Sequence, residues 1–110
     1  MIIAMPVIEN KGIDSRISEH FGHNPYFAIC NSETRDVKII PISEYGSGCT
    51  PVEEISKYKP DAVYTIGIGS RAMAMLKQLG IRITTGRFRT VKEVMDNLDC
   101  VEELEEGCGH

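Results

Sequence analysis

No apolar run in this chain reaches the ~18 residues that a membrane-spanning helix needs. The opening MIIAMPVIENKG has no basic segment and is broken by Pro6, so no signal peptide is expected and a cytoplasmic location is the default reading. There is no basic excess either, since 12 Lys and Arg face 16 Asp and Glu. Five of those acids (Asp99, Glu102, Glu103, Glu105 and Glu106) crowd the stretch 99–110, which holds no Lys or Arg. The rest of the chain carries 12 basic and 11 acidic residues, a nearly neutral body that argues against general nucleic-acid binding. The four cysteines (Cys30, Cys49, Cys100 and Cys108) contain no C-x-x-C pair, which excludes a zinc-ribbon or thioredoxin motif. No hydrolase triad is visible. Nor do carboxylates cluster as a two-metal nuclease requires: Glu9 sits after a predicted strand, but Asp61 precedes one.

What is present is patterned for one small α/β domain. The 110 residues are 42% hydrophobic, enough for a single core. Met1–Val7, Tyr26–Asn31, Val37–Ile42, Ala62–Ile66 and Ile81–Thr84 read as five strands, with Pro6 near the end of the first and Pro41 marking the third as an edge. The short turn between the second and third makes them an antiparallel hairpin, while Glu9–Pro25 is a long loop without periodicity. Thr50-Pro51-Val52-Glu53 starts a helix that Pro60 should end, and Thr90-Val91-Lys92-Glu93 starts another with Val91, Val94, Met95 and Leu98 on one face. Beyond Leu98 fraying is expected. The order β-β-β-α-β-α-β-α implies a five-stranded mixed sheet, with its later strands parallel and ligands gathering at their carboxyl ends. The domain is drawn as residues 1–98, with 99–110 as an acidic Cys/His-containing tail.

The stretch Asp61–Gly80 (DAVYTIGIGSRAMAMLKQLG) is the organising element. A strand runs into Gly67-Ile68-Gly69, Ser70 is placed to cap a helix, and Ala72, Met73, Leu76 and Leu79 recur at helical spacing. Four free backbone N–H groups and the positive end of the helix dipole then face the strand end, a setting for an anion. Gly67, Gly69, Ser70 and Arg71 are the candidate binding residues, joined by Arg87, with Arg89 on the same rim. Gly67–Ala72 also matches G-x-G-x-x-A, but no acid ends the next strand, so NAD binding is rejected.

Soft ligands surround this rim in the sequence. His20 and His23, three apart in SEHFGHNP, can face one metal if the loop makes a single turn. They can equally be two solvated histidines. Cys49 precedes a helix N-terminus, where a thiolate is stabilised, or it is an inert surface thiol. Cys108-Gly109-His110 offers a thiol and an imidazole near the end of the chain. Cys30 alternates with Ala28 in a strand and reads as core. These positions complete no four-ligand set of standard spacing. An anionic, preassembled metal–sulfur cluster needs fewer protein ligands, together with backbone N–H groups and arginines.

IIAMPVIENKGIDSRISEHFGHNPYFAI and DAVYTIGIGSRAMAMLKQLGIRI resemble the dinitrogenase iron–molybdenum cofactor biosynthesis family of the NifX and NifB C-terminal type. The pattern S-x-H-F-G-x-x-P-Y-F at Ser18–Phe27 carries most of that specificity. The resemblance implies a ribonuclease H-like three-layer fold without the nuclease carboxylates. It also implies a non-enzymatic protein that binds or carries an iron–molybdenum cofactor precursor or related metal–sulfur cluster, with cluster donor and acceptor proteins as partners and neither nucleic acid nor membrane. From the residues alone two alternatives stand: a small enzyme acting on a phosphorylated substrate at Ser70, Arg71 and Arg87, and a plain protein-interaction module.

Overall fold

The computed structural model describes residues 1–22, 24–42 and 51–103. Its elements are β1 (Ile2–Val7), β2 (Tyr26–Asn31), β3 (Val37–Pro41), α1 (Pro51–Ser56), β4 (Ala62–Tyr64), α2 (Ser70–Gln78), β5 (Arg82–Thr85), α3 (Val91–Asp96) and β6 (Glu102–Glu103). The strands form one sheet in the order β3-β2-β1-β4-β5-β6. The β1–β2–β3 pairings are antiparallel, β1–β4 and β4–β5 are parallel, and β6 returns antiparallel to β5.

The five-strand expectation is therefore corrected to six strands among the described residues. The added strand lies where fraying was expected: a 3-10 turn at Leu98–Cys100 redirects the chain, and Glu102 and Glu103 pair with Thr85 and Thr84. Two exposed acids carry no strand signature, and the pairing rests on backbone bonds to an otherwise open sheet edge.

Side chains alternate along each strand, and the two faces build separate cores. Ala4, Phe27, Ile29, Val63 and Ile83 pack against Val52 and Ile55 of α1 and Met73 and Leu76 of α2. Ile3, Met5, Val7, Ala28, Cys30 and Tyr64 pack against Val91, Val94 and Met95 of α3. Helices cover both faces of the sheet, so the layers are three. Thr90 caps α3 as expected: its hydroxyl accepts from the Glu93 N–H at 3.2 Å, while the Glu93 carboxylate accepts from the Arg89 N–H at 3.3 Å. Two other helix expectations change. The first helix stops at Ser56, before Pro60, and its proposed cap Thr50 lies outside the described residues. The second helix is entered through Gly69, whose extended backbone (φ −78°, ψ 160°) makes it the N-cap, so Ser70 is the first helical residue.

Pro6 occupies a central strand, an unusual place for a residue without an N–H. The β1–β4 ladder explains it, because its paired residues are only Ile3–Ala62 and Ala4–Val63. At Pro6 the neighbour of β1 is the segment Arg16–Ser18: the Pro6 carbonyl accepts from the Ser18 N–H at 2.8 Å, and the Ile8 N–H donates to the Arg16 carbonyl at 3.0 Å. The Glu9–Pro25 stretch is thus partly a ribbon, held on its other side by the Ile17 N–H donating to the Arg89 carbonyl at 2.7 Å.

Cys30 is fully buried among the α3-side residues, as its alternation with Ala28 indicated. Burial pushes its thiol from the ordinary 9.0 up to about 12. Above pH 9.0 the unfolded chain loses this proton while the folded chain keeps it, so stability is fully present below that pH and drains away toward about 12. Denaturant midpoints should fall between about pH 8 and about pH 10.5, and Cys30→Ala should shrink that fall. The same variant should cost about 1–2 kcal/mol near neutrality through the cavity it leaves.

Candidate functional site

The carboxyl ends of β1, β4 and β5 lie on one edge, where the segments 8–25, 65–70 and 86–90 meet. The residues after β1 cross this edge from one face of the sheet to the other. Ile17 belongs to the core on the α3 side and Phe21 to the core on the α2 side. Between them the chain passes over Gly67, where the Phe21 N–H donates to the Gly67 carbonyl at 2.9 Å. A Cβ on Gly67 would stand 2.8 Å from the Glu19 carbonyl oxygen and 3.8 Å from His20 Nδ1. Gly67 is glycine because another backbone lies against it.

Most of the S-x-H-F-G-x-x-P-Y-F signature is scaffold for this crossing. Ser18 is buried, and its hydroxyl donates to the His20 carbonyl at 3.1 Å while accepting from the His20 N–H at 3.3 Å. Gly22 takes φ +99°, a left-handed conformation that other residues rarely adopt. Its N–H donates at 3.0 Å to Asn24 Oδ1, and the Asn24 amide donates to the Tyr26 carbonyl at 2.6 Å. The rings of Phe21 and Phe27 pack with centroids 5.3 Å apart. His20 differs from these residues: its side chain is exposed and stands beside Gly67.

Among the described residues no side chain caps the start of α2, and the first intrahelical bond runs from the Met73 N–H to the Gly69 carbonyl at 3.1 Å. The N–H groups of Ser70, Arg71 and Ala72 therefore have no intrahelical partner. Gly69 has an ordinary negative φ, and a Cβ placed on it would meet nothing within 4 Å. Neither backbone nor packing among the described residues asks for glycine here. Ser70 and Arg71 are exposed, and so are Arg87 and Arg89.

The sequence reading missed Tyr64. Its hydroxyl, reaching from β4, donates to the Phe88 carbonyl at 2.9 Å and accepts from the Phe88 N–H at 3.0 Å, pinning the residue between Arg87 and Arg89. Burial raises the phenol pKa, partly opposed by the backbone bond to Phe88 and by the charge of Arg89. The hydroxyl thus stays a donor. A tyrosine inside a VYTI run looks like any strand aromatic, and only the approach of Phe88 reveals its task. Tyr64→Phe should cost about 1–3 kcal/mol by stripping both Phe88 groups of their partner. Thermal melts should show the loss, and faster exchange of the Phe88 amide should locate it.

Of the predicted metal ligands, the described residues include His20 alone. His23, Cys49, Cys108 and His110 lie outside them. Among the described residues no three His, Cys, Asp or Glu gather in a metal-holding arrangement. The structure does bring His20 to Gly67, and it sets Gly69, Ser70 and Arg71 at the start of the helix that follows.

A family model described as dinitrogenase iron-molybdenum cofactor matches residues 1–99. The chain is 30% identical over 100 residues to protein MJ0580 of Methanocaldococcus jannaschii, covering 84% of this chain and 80% of that protein. The crystal structure of PH0822 is similar at a TM-score of 0.76 and 30% identity, covering 89% of this chain and 88% of that one. The apo form of the orange protein from Desulfovibrio gigas superimposes at a TM-score of 0.81 over 96% of this chain and 93% of that one. At 19% identity that last likeness shows a shared fold alone.

Proposed function

The chain belongs to the dinitrogenase iron–molybdenum cofactor family, and from that premise we propose that it binds or carries an anionic metal–sulfur cluster, an iron–molybdenum cofactor precursor or a relative of one, on the carboxyl edge of its sheet. The observation that carries the reading is the open glycine step at Gly69. It leads into a helix N-terminus that no side chain caps among the described residues, while Gly67 two residues earlier has His20 alongside. Backbone N–H groups at the start of α2 would donate hydrogen bonds to the sulfides of a cluster, Arg71 and Arg87 would balance its charge, and His20 would ligate a metal. His23, Cys49, Cys108 and His110 are the proposed further ligands. The last two come from the acidic segment 99–110, drawn from the sequence as a tail, whose Glu102 and Glu103 join the sheet as β6.

On this reading the protein is a carrier, not an enzyme, and works in the cytoplasm between a cluster donor and an acceptor. The fold is read as ribonuclease H-like, and the surroundings of two carboxylates agree with a loss of nuclease chemistry. Asp61 is spent on structure, its carboxylate accepting from the Ile2 N–H at 2.8 Å, and Glu9 pairs with Lys11 at 3.7 Å. Anaerobic reconstitution with iron, sulfide and molybdate tests the proposal. A coloured protein with stoichiometric metal is expected, and a colourless, metal-free one would overturn it.

A further inference from the structure

On the other flank of the crossing segment lies a depression of about 480 Å³ lined by Ile8, Arg16, Ile17, Glu19, His20 and Arg89. Ile17 roots its floor in the α3-side core, whereas the Gly69 step belongs to α2 on the opposite face. Arg16 and Arg89 are brought together by backbone, through the bridge between Arg16 and Thr90 and the bond from the Ile17 N–H to the Arg89 carbonyl at 2.7 Å. Backbone pairing therefore sets both residues at the rim of one depression. Glu19 leans on Arg89 at 3.4 Å with both side chains largely exposed, and the Arg16 guanidinium has no partner among the described residues.

We propose that this depression is a second binding site, for a small multiply charged oxyanion, with Glu19 as its internal competitor. Two guanidinium forks match oxyanion geometry, and the Ile8 and Ile17 side chains reduce the water that would screen the charges. The Glu19 carboxylate holds the place at Arg89 that an incoming oxyanion takes. The volume exceeds that of one phosphate and admits a linked pair of phosphoryl groups.

The test titrates the full-length apo chain with inorganic phosphate and with pyrophosphate at constant ionic strength, read by amide chemical shifts. Pyrophosphate should bind several-fold more tightly than phosphate, with shifts centred on Ile8, Arg16–His20 and Arg89. Arg16→Gln should weaken pyrophosphate about tenfold. Glu19→Gln should strengthen it about threefold, because an exposed ion pair no longer competes. A role of Glu19 in folding alone would not raise affinity. Shifts confined to Ser70–Ala72, or affinities unchanged in both variants, would overturn the proposal. Thermal melts of both variants check that these exposed substitutions fold. Because the readout needs no cluster, failed reconstitution leaves this result standing, and Arg16→Gln should load clusters as the wild type does.

Discussion

Gly67→Ala is expected to be the most damaging single-methyl change on the carboxyl edge. The new Cβ would sit 2.8 Å from the Glu19 carbonyl oxygen, a backbone atom that cannot swing aside as a side-chain tip would. Relief requires moving the crossing segment, which is tied down by the Phe21 N–H to Gly67 carbonyl bond at 2.9 Å and by the burial of Phe21 itself. Overpacking of this kind costs about 1–3 kcal/mol. For a chain of this size that lowers the melting temperature by roughly 5–15 °C. Because His20 rides on the displaced segment, cluster binding should fall by at least about tenfold as well. Gly69→Ala is the control. Its Cβ meets nothing within 4 Å, so the melt should shift by less than about 1 kcal/mol while binding falls through obstruction of the helix start. Paired melts and titrations separate the two glycines. Equal loss of stability in both variants would contradict the packing argument at Gly67, and unaltered binding in Gly69→Ala would remove the open step from the site.

His20→Ala should produce the largest purely functional loss. The side chain is exposed and its removal opens no core, so the melting temperature should stay within a few degrees of wild type. A directly bound ligand is worth more than the 10–100-fold that supporting residues typically contribute to metal affinity, so the cluster should bind at least about tenfold more weakly. The measurement is a titration of reconstituted protein followed by visible absorption, run beside His23→Ala. Wild-type affinity in His20→Ala would mean that the residue against Gly67 is a bystander. It would shift the ligand set toward Cys49 or the Cys108–His110 segment.

The outcome at each strand shows which physical signals can be read along a chain. The first strand, the hairpin and the parallel β4–β5 pair follow from alternating or continuous apolar runs bounded by turn residues, and these are local properties. β6 is not local. Glu102 and Glu103 have no propensity for a strand and become one because the edge of β5 supplies partners. Ser70 shows the same limit at smaller scale: serine favours the cap position, yet the chain enters the helix one residue earlier through extended Gly69. The role of Glu93 in capping α3 was legible, because a capping box is a contact between residues three apart.

The sequence alone determined the α/β architecture, the helix-initiating glycine step after the central strand, and the special standing of Ser18–Phe27. Each of these is written in spacing, chain stiffness and residue chemistry over a few neighbours. The tertiary structure decided the division of labour inside that signature, with Ser18, Phe21, Gly22, Asn24 and Phe27 building the crossing and His20 left exposed upon it. It also decided that Tyr64 anchors the arginine-bearing turn and that Arg16 and Arg89 share one depression. These contacts join residues 24 positions apart in the first case and more than 70 in the second. At such separations the chain carries no local preference for the contact. What creates it is the parting of β1 and β4 beyond Ala4 and Val63, which leaves room for the Arg16–Phe21 segment to lie across the edge and meet the strands' far loops.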